Sequence, residues 1–200
     1  MLLYILAYLL GSIPTALIIG RVFFGIDIRE HGSNNPGATN SLRVLGKKAG
    51  IVVLLVDVGK GALAASLPLI FETNISPLHL GLIAVIGHCF PIFAGFRGGK
   101  AIATIAGALL VANPPLFLIA YLSFFLVILI SKYVFFGSIS VGLILYLYTI
   151  MKPGSENDIL LLLFLLLLIF LHRTNIRNFI QRKEPKITDK NLINDRIKPV

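Results

Sequence analysis

Residues 101–131 read AIATIAGALLVANPPLFLIAYLSFFLVILIS, and whether they form one long apolar helix or two sets how often the chain crosses a membrane. Asn113-Pro114-Pro115 interrupts the run. Proline lacks a backbone donor and pushes the preceding residue out of the helical region, which predicts two spans, 101–112 and 114–131. Outward from this break, further apolar spans are expected at 2–24, 49–70, 78–96, 134–151 and 159–172. The 101–112 span is short for a bilayer crossing and needs a tilt, a thin spot or help from its neighbours. Charge favours the split. With seven spans and the N-terminus outside, sixteen of the 18 Lys and Arg face the cytoplasm, leaving Lys152 in an outer loop and Lys60 inside a span. Six spans would place Lys132 and the basic C-terminal residues opposite the first two polar loops.

Composition agrees with an all-α integral membrane protein built as a bundle of seven transmembrane helices with a cytoplasmic C-terminus. Of 200 residues 56% are hydrophobic and 14% charged, with mean hydropathy +0.90. The net charge of +9 sits beside apolar spans, so anionic lipid headgroups and orientation explain it better than nucleic acid does. A single cysteine, Cys89, excludes an internal disulfide and any all-cysteine metal site. The first span has no basic leader and contains Gly11-Ser12-Ile13-Pro14, which reads as a packing and kink site in a retained helix rather than a signal peptide. The membrane domain is expected over 1–180, with a basic, partly ordered cytoplasmic tail over 181–200.

Three polar stretches fall on the cytoplasmic side. The first, Gly32 to Asn40 followed by Arg43, combines glycines that let backbone amides approach a ligand with the hydroxyls of Ser33 and Thr39 and the amides of Asn35 and Asn40. Gly37 belongs to the same turn, and Arg43 offers a planar fork suited to phosphate. Alone, the loop reads equally as an ordinary turn with a short capped helix carrying Arg43. The second stretch runs from Gly87-His88 to Gly98-Gly99-Lys100. The double glycine permits a sharp interfacial turn, and a lysine at the start of the next helix opposes the helix dipole unless an anion is bound. A nucleotide P-loop is excluded, because Ala94 replaces the first glycine and Ala101 the magnesium-binding hydroxyl. Lys100 also reads as a snorkelling cation, and His88 as a hydrogen-bonded structural histidine.

The third stretch, His172-Arg173-Thr174-Asn175-Ile176-Arg177, closes the last span. If the helix continues, His172 and Asn175 share a face, one able to take a proton from an alcohol and the other to hold an oxyanion. Asp57 and Lys60, three apart within a span, are expected to pair, in a structural role rather than a catalytic one. Ser138 lies near the cytoplasmic end of the sixth span, although helical serines usually bond to their own backbone.

These motifs, in this order, resemble the bacterial membrane acyl-phosphate:glycerol-3-phosphate acyltransferases (PlsY) over nearly the whole chain. The Gly32–Asn40 loop with Arg43, the Gly87–Lys100 segment and His172–Ile176 carry the likeness. Asn34 stands where that family usually has glycine, Asn178 and Arg182 where arginine and glycine are common, and Glu184 where it carries a tail glutamate that resembles a structural anchor. The resemblance implies a seven-helix enzyme of the bacterial inner membrane, its active site facing the cytoplasm, without cofactor or metal. It also implies acyl phosphate as donor, glycerol 3-phosphate as acceptor and lysophosphatidic acid as product.

The residues fit that chemistry. Both substrates carry phosphate, which cations and amides at a low-dielectric membrane face would stabilise. Acyl phosphate is already activated, so positioning matters more than a covalent nucleophile, and no Gly-x-Ser-x-Gly elbow is present. Ser33, Asn35, Gly37, Thr39, Asn40, Arg43, His88, Gly98, Gly99, Lys100 and Ser138 are the expected substrate-binding set, and His172 and Asn175 the expected catalytic pair. A substrate phosphate oxygen remains an alternative base to His172. The chain is expected to work as a monomer in lipid, without nucleic acid. The competing reading is a transporter or channel for a phosphorylated metabolite, whose site would sit nearer the bilayer midplane.

Overall fold

The structure, a computed structural model, describes residues 1–151, 158–189 and 196–200. Lys152 and Lys190, both used in the charge argument, lie outside the described residues. Regular structure among the described residues is helical throughout: α1 (Leu2–Gly11), α2 (Thr15–Phe24), α3 (Ala38–Val44), α4 (Lys47–Ile70), α5 (Pro77–Cys89), α6 (Ile102–Ala112), α7 (Pro114–Ser131), α8 (Val134–Ile150), α9 (Asp158–Leu171) and α10 (Arg173–Ile180). Two 3-10 turns, Ile28–Glu30 and Ile92–Ala94, complete it.

Three segments are long and apolar enough to cross a membrane: α4, Pro77–Ala94 and α7. Two bent pairs raise the number to five if each is one span. α1 and α2 meet at 40°, and residues 159–171 meet α10 at 51°. α6 and α8 are shorter apolar helices. Breaks fall where local chemistry requires them. Gly11-Ser12-Ile13-Pro14 bends the first pair, as its composition suggests. α7 starts at Pro114, with Asn113 capping it by accepting a hydrogen bond from the Leu116 amide at 3.1 Å. The third span, expected to run to residue 96, loses its α-helix at Cys89, because Pro91 cannot continue the ladder and holds Phe90 at φ −127°, ψ 64°.

The chain divides into two compact units, Met1–Ala112 with Lys190–Val200, and Asn113–Asp189. In the first, α4 packs against α1, α3, α5 and α6. Small residues bring these backbones close: a methyl group on Gly61 would collide with the Thr104 carbonyl of α6, and one on Gly107 with the Val58 carbonyl of α4. A second apolar cluster, Ala16, Ile28, Val44, Leu45, Ala49 and Val53, anchors the polar loop between α2 and α3. The chain end docks there too, with the Ile197 amide donating to the Val44 carbonyl at 2.9 Å and the Val200 amide to the Phe23 carbonyl at 3.1 Å. These end residues are therefore fixed to the first unit, a degree of order that their polar, basic sequence conceals. In the second unit α8 packs against α7 and α9, and Tyr133, Phe135, Phe136 and Phe179 form an aromatic cluster.

Candidate active site

The first polar loop is held rigidly by one carboxamide. Asn40, 1% exposed, accepts from the Ser33 amide at 2.9 Å and donates to the carbonyls of His31 at 2.9 Å and Ile28 at 3.3 Å. Its polar atoms thus serve the backbone, and its contribution is to shape the loop. Gly32, at φ +61°, brings its backbone so close that a side chain would strike the Asn40 oxygen. Gly37 caps α3, which begins at Ala38 and carries Arg43 on its last turn. The short helix weighed against a ligand loop is therefore present, starting earlier than Asn40. The hydroxyl residues Ser33 and Thr39 are exposed, and Asn35 and Arg43 are half-buried.

Upstream of the loop, Asp27 caps the first 3-10 turn and grips Arg29. The Arg29 guanidinium donates to Asp27 Oδ1 at 2.9 Å and Oδ2 at 2.6 Å, and Arg21 adds a contact at 3.0 Å. The Arg29 hydrogen bonds hold the Asp27 carboxyl well below the usual carboxylate range, outweighing the desolvation that opposes ionisation. The same pairing raises the Arg29 guanidinium.

The double-glycine segment folds back onto the end of α5. The Gly98 amide donates to the Cys89 carbonyl and the Gly99 amide to the His88 carbonyl, each at 3.1 Å. Gly99 lies so close to the His88 imidazole that a methyl group there would overlap the ring. Gly98 faces backbone carbonyls in the same way. Lys100 is half-buried and α6 begins only at Ile102, because Ala101 turns into the left-handed region at φ +58°; the lysine therefore precedes the helix rather than opening it.

Beside this turn sits the intramembrane ion pair expected from spacing. Lys60 Nζ lies 2.9 Å from Asp57 Oδ1, with side-chain exposures of 4% and 2%. Lys60 also donates to the Ile13 carbonyl at 3.0 Å, satisfying an acceptor that the α1–α2 break leaves without its helical partner, and Thr15 donates to Asp57 at 3.2 Å. His88 Nδ1 stands 3.7 Å from the same carboxylate oxygen, too far for a hydrogen bond. Lys60, His88, Arg97, Gly98 and Gly99 line one pocket of the first unit together with Thr15. The two residues pair as their spacing suggests, and Lys60 also forms part of the wall of this pocket.

In the second unit the expected continuous helix through His172 is broken. His172 caps α10 after a 51° bend, so it and Asn175 stand at a corner rather than on one uninterrupted face. The imidazole is buried, with Nδ1 2.8 Å from the Leu168 carbonyl. A carbonyl only accepts, so Nδ1 carries the hydrogen and Nε2 is the proton acceptor of the neutral ring. Asn175 Nδ2 donates to Glu184 Oε1 at 2.7 Å, tying the residues after α10 back to its first turn. Ser138 donates to the Val134 carbonyl of its own helix at 3.2 Å.

Comparison with known proteins decides the family. A family model described as glycerol-3-phosphate acyltransferase matches residues 1–182. Glycerol-3-phosphate acyltransferase 2 of Bacillus cereus is 49% identical over 185 residues, spanning 92% of this chain and 93% of its own. The Bacillus subtilis glycerol-3-phosphate acyltransferase is 47% identical over 186 residues, 93% and 96% of the two chains. The chain belongs to the glycerol-3-phosphate acyltransferase family. Among solved structures it resembles PlsY (YgiH), an integral membrane glycerol 3-phosphate acyltransferase, in its glycerol 3-phosphate form, with TM-score 0.85, 34% identity and coverage of 93% and 94%. The lysophosphatidic acid form of that protein gives TM-score 0.82, 32% identity and coverage of 96% and 97%.

Membership makes the chain an acyltransferase of phospholipid synthesis, and the transporter reading is set aside. It also gives sense to two departures from the glycerol-3-phosphate acyltransferase pattern. Asn34 and Arg182, which replace common glycines, both adopt φ +58°, so each keeps the backbone geometry a glycine would supply. Asn34 offsets part of the strain by donating to the Arg29 carbonyl at 3.0 Å. Sequence reasoning did not anticipate the Asp27–Arg29 pairing upstream of the loop or Thr15 in the pocket lining. Only the two-residue spacing of Asp27 and Arg29 was there to be noticed, since the other partners are distant in the chain.

Proposed function

We propose that this acyltransferase moves a fatty acyl group from acyl phosphate to glycerol 3-phosphate at the cytoplasmic face of the bacterial inner membrane. It crosses the membrane seven times with its N-terminus outside and works as a monomer without cofactor or metal. The observation that carries the reading is the likeness, across 93% of the chain, to an enzyme captured in a glycerol 3-phosphate form. The seven-span count draws support from the helix break at Asn113-Pro114, which makes α6 and α7 separate apolar helices.

The reaction needs little covalent chemistry from the protein. The acceptor hydroxyl attacks the acyl carbonyl, an ester C–O bond forms, and the bond from carbonyl carbon to phosphate oxygen breaks. Inorganic phosphate leaves, and the hydroxyl proton passes to a base. In the first unit, the loop shaped by Asn40 offers Ser33, Asn35, Gly37, Thr39 and Arg43 for phosphate, and the pocket bearing His88, Gly98 and Gly99, whose glycine amides fix the turn, leads to Lys100, which offers charge. In the second, His172 serves as the base through Nε2, the tautomer favoured by its bond to Leu168, and Asn175 orients the hydroxyl. Ser138 completes the set of substrate contacts.

Purified protein in lipid, given acyl phosphate and glycerol 3-phosphate, is expected to yield 1-acylglycerol 3-phosphate, with acyl-CoA inert as the parallel donor. Product from acyl-CoA alone would overturn the donor assignment.

A further inference from the structure

In the structure Arg29 bridges the start of the first loop to the double-glycine segment. Its side chain is 11% exposed and its donors are divided. Nε and Nη2 engage both oxygens of Asp27, while Nη1 donates to the Ala94 carbonyl at 2.8 Å, 65 residues away. A lysine cannot reproduce this, since a planar fork is needed to grip a carboxylate and reach a third acceptor together.

Both sides of the bridge are stiff. On one, Ile28 is fully buried in the apolar cluster beneath the loop, and Asn40 ties Ile28, His31 and Ser33 together. On the other, Ala94 ends the 3-10 turn, and the chain then passes through left-handed Gly95 and Phe96 before Gly98 and Gly99 pair with Cys89 and His88. Between Pro91 and Gly98, two consecutive residues at positive φ form a corner held at its ends by backbone bonds and near its middle by the guanidinium. Non-glycine residues in that region are strained, and they persist where surroundings over-determine them.

We propose that Arg29 is a positioning residue for the acyl transfer: it registers the double-glycine turn against the hydroxyl-bearing loop, so that the two present one phosphate site. It touches no substrate. This inference rests on the phosphate-holding roles proposed above. Two stiff pieces held in register need no reorganisation when substrate arrives, which is where preorganised sites gain their binding.

The test uses the full-length enzyme in lipid, with R29Q and R29K beside the wild type. R29Q is expected to raise KM for glycerol 3-phosphate by at least about tenfold with kcat within about threefold, and R29K to fall between R29Q and wild type. Hydrogen exchange at the Gly98 and Gly99 amides should rise at least about fivefold in R29Q, with α8 unchanged. If R29Q does not fold, R29K carries the same two measurements. A lowered unfolding temperature with KM and Gly98–Gly99 exchange unaltered would make Arg29 a stability residue only and overturn the proposal. Failure of the wild type to use acyl phosphate would instead strike the donor assignment, leaving the exchange measurement to judge Arg29.

Discussion

The turn at Gly98-Gly99 and the corner at His172 both end an apolar helix in a polar sequence, yet they are held by different means. The first is fixed by backbone: two amides return to the carbonyls of Cys89 and His88, and neither glycine has room for a methyl group. The second is fixed by side chains, one imidazole bonded to Leu168 and one carboxamide bonded to Glu184. Sensitivity to substitution should therefore be steric at the first and chemical at the second.

The largest effect is expected at the first. Gly98→Ala places a methyl group against the His88 and Cys89 carbonyls, which cannot move without opening the turn. Overpacking of this kind costs about 1–3 kcal/mol, and acyltransfer should drop to background while helical content by circular dichroism is kept. Near-normal activity would mean that the turn is not part of the site. At the second corner, His172→Ala should lower kcat by about 10²-fold with glycerol 3-phosphate binding retained, whereas a rate within about tenfold of wild type would assign the proton to a substrate phosphate oxygen.

What could be read from sequence follows the same division between local and distant causes. The start of α7 at Pro114, the bend at Ser12–Pro14 and the Asp57–Lys60 pair depend on neighbours within a few residues, and each was legible. The carbonyl of Ile13 on Lys60, the hydroxyl of Thr15 on Asp57 and the guanidinium of Arg29 on Ala94 join residues 42 to 65 positions apart, and no periodicity announces them. Asn40 shows a subtler limit. Its residue type suits a ligand as well as a loop brace, and only the three backbone partners around it show that its amide is occupied in shaping the turn. The corner at His172 was hidden because helix continuity across a polar span end is a tertiary outcome, not a propensity.

Replacing the carboxylate at the second corner separates shape from charge more gently. Glu184→Gln keeps an acceptor for Asn175 and should hold activity within about threefold, while Glu184→Ala removes it and should lower stability by about 1 kcal/mol. Equal behaviour of the two variants in thermal unfolding would remove Glu184 as the anchor of the chain beyond α10.

The smallest effect should come from acid at the first region. Arg29 holds the Asp27 carboxyl below its unfolded value of 3.8, so the stability contributed by this pair is present above that pH and is lost only as pH falls through the lower folded value. Hydrogen exchange in the 27–34 loop, corrected for the intrinsic pH dependence of exchange, should therefore stay flat from about pH 8 to 5. A loop that loosens above about pH 5 would show that Arg29 does not hold Asp27 ionised there, and would remove the pair as the brace of this loop.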